Sequence, residues 1–215
     1  MDNIKSIIFD FDGTLHNTIK IYYPAFSSGV KTLQAKGFAN NFELNEENVS
    51  KFLGEKPNYA YDLIAKDADE NLKKEVMQQV GKNMEKNMQE GLGELYKGTT
   101  KVLETLYNNY DLYILSNCRK RYLDVALDVY NIKKYFKKCF VAESFDYIPK
   151  KEILKKVRPN IKEEIIFVGD RYHDINAAKE NNIKSIFATY GFGPIREGKD
   201  ANYKIDSIEE ILKIL

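Results

Sequence analysis

A chain of 215 residues is long enough for one sizeable hydrophobic core, or one core with a modest inserted unit. Hydrophobic residues make up 43% and charged residues 30%, which excludes a disordered or fibrous chain. Lys+Arg total 33 against 32 for Asp+Glu, a net charge of +1, so composition lends no support to a polyanion-binding role and no nucleic-acid partner is expected.

The chain opens on Met1-Asp2-Asn3-Ile4-Lys5, which carries an acid, and the apolar run after it is only Ile7-Ile8-Phe9. A secretory signal does not fit, no run approaches membrane-spanning length, and the expected location is the cytoplasm, with no membrane partner. Ser6–Asp10 reads as a strand buried on both faces, leading into Phe9-Asp10-Phe11-Asp12-Gly13-Thr14. Side chains alternate along a strand, so Asp10 and Asp12 leave on one side and Phe11 on the other. Ligands of open parallel sheets bind beyond the carboxyl ends of the strands. Two carboxylates converging there repel, and a divalent cation removes the conflict. Gly13 permits a sharp turn close to a phosphate. Taken alone, the same residues also read as a solvated turn.

From 17 to 92 no strand is visible. Glu70–Gln89 is helical, with Leu72, Val76, Met77, Val80, Met84 and Met88 on one face, read as core packing. Lys73, Lys74, Lys82 and Lys86 read as solvated faces. Phe52-Leu53-Gly54-Glu55-Lys56 lies between two helices and is the candidate loop to enter a site. Gly91-Leu92-Gly93 reads as a hinge or as a helix C-cap. The segment 17–92 is therefore expected to be a helical insertion, leaving 1–16 and 93–215 as the core.

Thr99 or Thr100 is placed to cap the next helix, which carries Val102, Leu103 and Leu106. The strand Leu112–Ser116 ends in Ser116-Asn117, whose hydroxyl and backbone N–H suit phosphate oxygens, with a plain helix N-cap as the alternative. Cys118 and Cys139 form no CxxC, so neither structural zinc nor a disulfide framework is expected, and Cys118 reads as packing. A helix over Lys120–Val129, a strand over Cys139–Ala142, and a helix over Lys151–Val157 behind Pro149-Lys150 follow. The strand Ile165–Gly169 leads into Gly169-Asp170-Arg171-Tyr172-His173-Asp174, with Asp174 at the start of a helix reaching Ala177–Asn181 and Asn182 as its left-handed stop. The strand Ser185–Ala188 and a last helix opened by the capping box Ser207-x-x-Glu210 complete the chain. Five strands alternating with helices predict a doubly wound α/β fold with a parallel sheet.

In this order, Asp-x-Asp-Gly-Thr, Ser-Asn, Lys and Gly-Asp-x-x-x-Asp resemble the haloacid dehalogenase superfamily of phosphatases. The resemblance spans nearly the whole chain, extending to Leu95-Tyr96-Lys97-Gly98 and Tyr190-Gly191-Phe192-Gly193. It is closest to the subgroup with a helical cap after the first motif, which includes phosphoglycolate phosphatases, pyrophosphatases and β-phosphoglucomutases. The resemblance implies a Rossmann-like core and a cap over 17–92. It implies Mg²⁺-dependent hydrolysis of a small phosphorylated metabolite through an aspartyl-phosphate on Asp10, in a monomer or small homo-oligomer. Asp12 would be the acid and then the base. Mg²⁺ would be held by the Asp10 side chain, the Asp12 carbonyl and Asp170, with Asp174 behind them. Ser116, Asn117 N–H and Lys150 would hold phosphoryl oxygens, Lys150 being preferred to Lys151. His16 and His173 read as partly exposed neighbours, with His16 also placed to touch substrate. Asn17 stands where many relatives carry an acid. A phosphomutase is the alternative within this chemistry. A dehalogenase is disfavoured by Asp12. A phospho-signalling receiver is disfavoured by the insertion, and a silent binding protein by the full motif set.

Overall fold

The computed structural model describes residues 4–215. Met1-Asp2-Asn3, part of the N-terminal reading above, lies outside the described residues. In chain order the elements are β1 (Ser6–Phe9), α1 (Ile19–Ala35), α2 (Glu46–Ser50), α3 (Tyr59–Ile64), α4 (Glu70–Gln89), α5 (Thr99–Tyr107), β2 (Asp111–Ser116), α6 (Lys120–Val129), β3 (Phe136–Val141), α7 (Lys150–Val157), β4 (Ile165–Gly169), α8 (Tyr172–Glu180), β5 (Lys184–Ala188), β6 (Tyr203–Ile205) and α9 (Ile211–Ile214). Among the described residues, six strands form one sheet in the order β3-β2-β1-β4-β5-β6, every neighbouring pair parallel. The chain runs outward from β1 to one edge, then restarts at β4 on the other side of β1. The strand order therefore reverses around β1, where sheets of this kind open a crevice.

Burial follows from the strand period. Ile7 and Phe9 face α5, α6 and α9 with Leu112, Ile114, Ile166 and Val168, while Ile8 turns to the opposite face with Leu115, Phe167, Ile153 and Ala177. Helices on both faces leave β1 and β4 with no exposed residue, which is why they read as continuous apolar runs. The α1–α4 segment builds a separate apolar cluster around Phe26, Val30, Leu33, Val76 and Val80. No described helix is long and apolar enough to cross a membrane.

Several sequence expectations are corrected. A sixth strand, β6, is three residues long at the sheet edge, too short for a periodicity to show. Strand β3 begins at Phe136 rather than Cys139, because Lys137 and Lys138 are exposed along an edge strand. Gly98 takes the cap position of α5, so neither threonine caps it, and Thr99 Oγ1 bonds the Leu15 carbonyl. The Ser207 capping box does not form; Glu210 accepts from Asp206 N instead. Lys73 is not solvated: its ammonium is drawn in by Glu70 at 3.0 Å and Asp62 at 3.4 Å. At Gly91-Leu92 the C-cap geometry is the one present, with Leu92 N bonded back to Asn87 O and Gly91 N to Met88 O.

Candidate active site

Three adjacent strands deliver the site. Asp10 follows β1, Ser116 closes β2 and Asp170 follows β4. Asp10 is buried; its Oδ1 accepts from Phe11 N at 2.7 Å, and its Oδ2 lies 2.9 Å from Lys150 Nζ. Lys150 opens α7 and donates to Asp174 Oδ1 at 2.6 Å. Asp174, in the first turn of α8, also accepts from Arg171 N at 3.0 Å. Asp170 accepts from Phe192 N at 2.7 Å and from Thr14 Oγ1 at 3.4 Å. A side chain at Gly13, where φ is +82°, would place its Cβ 2.2 Å from Asp170 Oδ2, so only glycine lets the turn pass.

Asp10, Asp170 and Asp174 bring carboxylate oxygens within 4.8 Å of one another. Burial pushes the Asp10 carboxyl well above its ordinary range, against the pull of Lys150, and Asp174, Asp170 and Asp12 push it further. Burial, with Asp174 adding to it, raises Asp170 to about 7. Burial alone would lower Lys150, but Asp10 and Asp174 outweigh it and hold the ammonium charged. Three buried carboxylates outnumber the one ammonium beside them, a conflict that protonation or a divalent cation relieves, and the donors are all hard oxygens, the set that fits Mg²⁺.

The Asp12 side chain stands apart from that cluster. Its Oδ1 accepts from Thr18 Oγ1 at 2.6 Å and from Tyr122 OH at 2.7 Å, while its Oδ2 has no hydrogen-bond partner among the described residues. Thr18 donates its proton to Asp12, so the 2.8 Å contact between Thr18 and His16 Nδ1 is made by a proton on Nδ1, and His16 Nε2 lies 2.8 Å from Tyr130 OH. His16 is fully buried and stacked on Phe11, contrary to the expectation of a partly exposed residue, because Phe11, Tyr122 and Tyr130 close around it. Thr18, Tyr122 and Tyr130 carry no local motif that marks them in the sequence.

Ser116 is buried and its Oγ accepts from Cys118 N, whereas α6 is capped one turn later at Arg119, so the N-cap alternative does not apply. Lys151 is partly exposed and makes no ion pair with Asp10 or Asp174; its carbonyl accepts from Asn181 Nδ2. Burial raises the Cys118 thiol well above its ordinary range, which keeps it protonated.

Above the strand ends lies a cleft of about 310 Å³, bounded by Asp10, Asp12 and Ser116 below and by Phe52, Tyr61 and Met77 above. The Phe52–Lys56 loop enters it. Asn117 Nδ2 donates to Gly54 O at 2.8 Å, Arg171 Nη1 donates to Leu53 O, and Glu55 pairs with Arg171 at 2.8 Å and with His173 at 3.0 Å. Gly54, at φ +82°, passes so close to Arg171 that a Cβ would meet its Cγ at 2.8 Å. Burial would raise the Glu55 carboxyl, but its bonds to His173 and Arg171 win and hold it below the usual range. Met77 and Met84 pack, partly buried, against the apolar clusters as expected, and they also line this cleft, because α4 is flanked by α1 on one side and by the opening on the other.

The pattern of a family described as haloacid dehalogenase-like hydrolase matches residues 7–188. The chain is similar to a phosphoglycolate phosphatase of Vibrio parahaemolyticus, 26% identical and covering 99% of this chain and 96% of that protein. Pyrophosphatase PpaX of Bacillus cereus is 22% identical with the same coverage. Among solved structures, a predicted phosphoglycolate phosphatase from Haemophilus somnus aligns with a TM-score of 0.85 at 25% identity, covering 100% of this chain and 99% of that chain. The HAD-hydrolase YfnB of Bacillus subtilis, described as bound to magnesium, shares the fold with a TM-score of 0.71 at 17% identity, covering 100% of this chain and 99% of that one.

Proposed function

The chain belongs to the haloacid dehalogenase-like hydrolase family, and from that premise we propose that it is a Mg²⁺-dependent phosphatase that moves the phosphoryl group of a small phosphate ester onto Asp10 and then to water. The observation that carries this reading is the buried Asp10–Lys150–Asp174 chain beside Asp170, whose Asp10 end lines the same cleft as Asp12, with its unpartnered oxygen.

A carboxylate oxygen of Asp10 attacks phosphorus while the bond to the leaving oxygen breaks, and Asp12 Oδ2 delivers a proton to that oxygen. Thr18 and Tyr122 occupy Oδ1, so proton exchange is confined to Oδ2. Water then attacks phosphorus, gives its proton to Asp12, and the Asp10–phosphorus bond breaks to release phosphate. The Ser116 hydroxyl, Asn117 N–H and Lys150 hold the phosphoryl oxygens, in keeping with a reaction governed by positioning and charge. Asp10, Asp170 and the Asp12 carbonyl would hold Mg²⁺, with Asp174 behind them, and the ion would supply charge that offsets repulsion between the carboxylates and the phosphoryl oxygens.

Residues 17–92 act as the cap and 1–16 with 93–215 as the core. The crossing point is tied by Asn17 N to Glu94 O and by Asn17 Nδ2 to Glu94 Oε1, both at 2.9 Å. Closure over the strand ends favours a small phosphorylated metabolite and excludes bulk water. With both cysteines unpaired, the reading includes a cytoplasmic location and a monomer or small homo-oligomer. The test is hydrolysis of p-nitrophenyl phosphate with and without Mg²⁺; a folded protein with no Mg²⁺-dependent turnover overturns the reading.

A further inference from the structure

The upper wall of the cleft is aromatic, and one buried ring organises it. Phe26 is fully buried, and its centroid lies 5.1 Å from that of Tyr22, 5.6 Å from Phe52 and 5.7 Å from Tyr61. All three of those rings line the cleft, and Met77 and Met84 extend the same apolar surface along α4. A cleft of about 310 Å³ has room for roughly ten waters at ~30 Å³ each. Phe52 and Tyr61 are largely buried in the cluster around Phe26, and a two-carbon acid or a bare phosphate would leave the part of this wall that faces the cleft without an apolar partner.

A cation stands in the same cleft without an acidic partner. Arg119 lines it, and no carboxylate lies within 4.0 Å of its guanidinium among the described residues, whereas Arg121 pairs with Glu85 and Arg171 with Glu55 and Glu197. Its Nη1 lies 3.4 Å from where a Cβ on Gly81 would stand, so the guanidinium rests against the middle of α4. Its charge opposes the upward push of burial on the Tyr61 hydroxyl, as befits a neighbour of that ring.

We propose that the leaving group of the natural substrate carries a planar aromatic ring that seats on Tyr22, Phe52 and Tyr61 and bears an anionic or carbonyl acceptor for Arg119. The inference rests on the phosphatase reading and narrows it, away from phosphoglycolate and pyrophosphate. An apolar wall discriminates by contact area, and a guanidinium without a carboxylate partner discriminates by charge-assisted hydrogen bonds.

The test uses three esters whose leaving oxygens are all alkyl alcohols, so that ring recognition is separated from leaving-group reactivity: phosphoglycolate, benzyl phosphate and 4-carboxybenzyl phosphate. With saturating Mg²⁺, kcat/KM is expected to rise in that order, with at least about tenfold between the first and last. In Arg119→Gln the ratio of 4-carboxybenzyl to benzyl phosphate should collapse by about tenfold through KM, and Arg119→Lys should restore part of it. Tyr61→Leu should shrink the advantage of benzyl phosphate over phosphoglycolate. Robust turnover with phosphoglycolate equal to or better than both ring esters overturns this inference and leaves the phosphatase reading standing. An unchanged ratio in Arg119→Gln overturns the role of Arg119. No hydrolysis of any ester overturns the phosphatase reading and this inference together.

Discussion

Glu55, in the loop between α2 and α3, pairs with Arg171, the residue after Asp170, at 2.8 Å, with only 13% and 8% of the two side chains exposed. Arg171 also holds Leu53 O and Glu197, so one side chain ties the loop to the strand end that carries Asp170. Glu55→Gln is expected to cost about 2 kcal/mol of stability, between the surface and buried cases. The Glu55 carboxyl is depressed in the folded protein, so its contribution is present above the unfolded value near 4.5 and is lost as pH falls through the folded value. Denaturant titrations of both proteins should differ most near neutrality and converge in acid; a difference that persists unchanged at low pH would remove the ion pair from the account.

Asp10→Asn should fold normally by circular dichroism and lose at least about 10³-fold in kcat, because an amide of the same shape cannot accept the phosphoryl group. Turnover close to wild type in the folded variant would move the nucleophile elsewhere.

Chelation should silence the enzyme and Mg²⁺ restore it, with Ca²⁺ a poor substitute because its coordination is looser. Binding should also show without turnover. Mg²⁺ at about 100 times its Kd stabilises by about 2.7 kcal/mol, so thermal scans should shift upward in the wild type and not in Asp170→Asn. Full activity in excess EDTA, or the same shift in both proteins, would remove Asp170 from the metal site.

Adjacent helical residues project about 100° apart, and only Lys150 reaches Asp10 and Asp174. Lys150→Ala should lose at least about 10²-fold in activity and about 3 kcal/mol of stability in the absence of metal, since it strands two buried carboxylates. Lys151→Ala should stay within about twofold of wild type. Equal losses in the two variants would contradict this assignment.

Tyr122→Phe removes one of the two donors to Asp12 Oδ1. The expected result is a fall in kcat of about tenfold with KM little changed, because Asp12 loses one of the two donors that orient it. A change confined to KM would place Tyr122 in substrate binding instead.

The parts of this protein legible from sequence are those whose physics is local. A continuous apolar run marks Ile7, Ile8 and Phe9 as a doubly covered strand, and strand alternation carried past its end sets Asp10 and Asp12, which line the cleft, apart from Phe11, which packs in the core. Period 3.6 recovers α4 and α6 to the residue, and Asn182 has the left-handed φ of 54° expected of it. What tertiary structure alone decided are relations between residues far apart in the chain. His16 looks solvated until Tyr130 closes on it, and Lys73 until Asp62 is brought beside it. Met77 and Val76 have nearly the same apolar character and share one cluster, yet Val76 is buried within it while Met77 is only partly buried and also lines the cleft, because that depends on what lies across from α4. Arg171 carries no sign in Gly-Asp-Arg of a partner 116 residues away at Glu55. A local pattern encodes which face of an element is apolar, and only packing of whole elements determines which distant side chain meets that face.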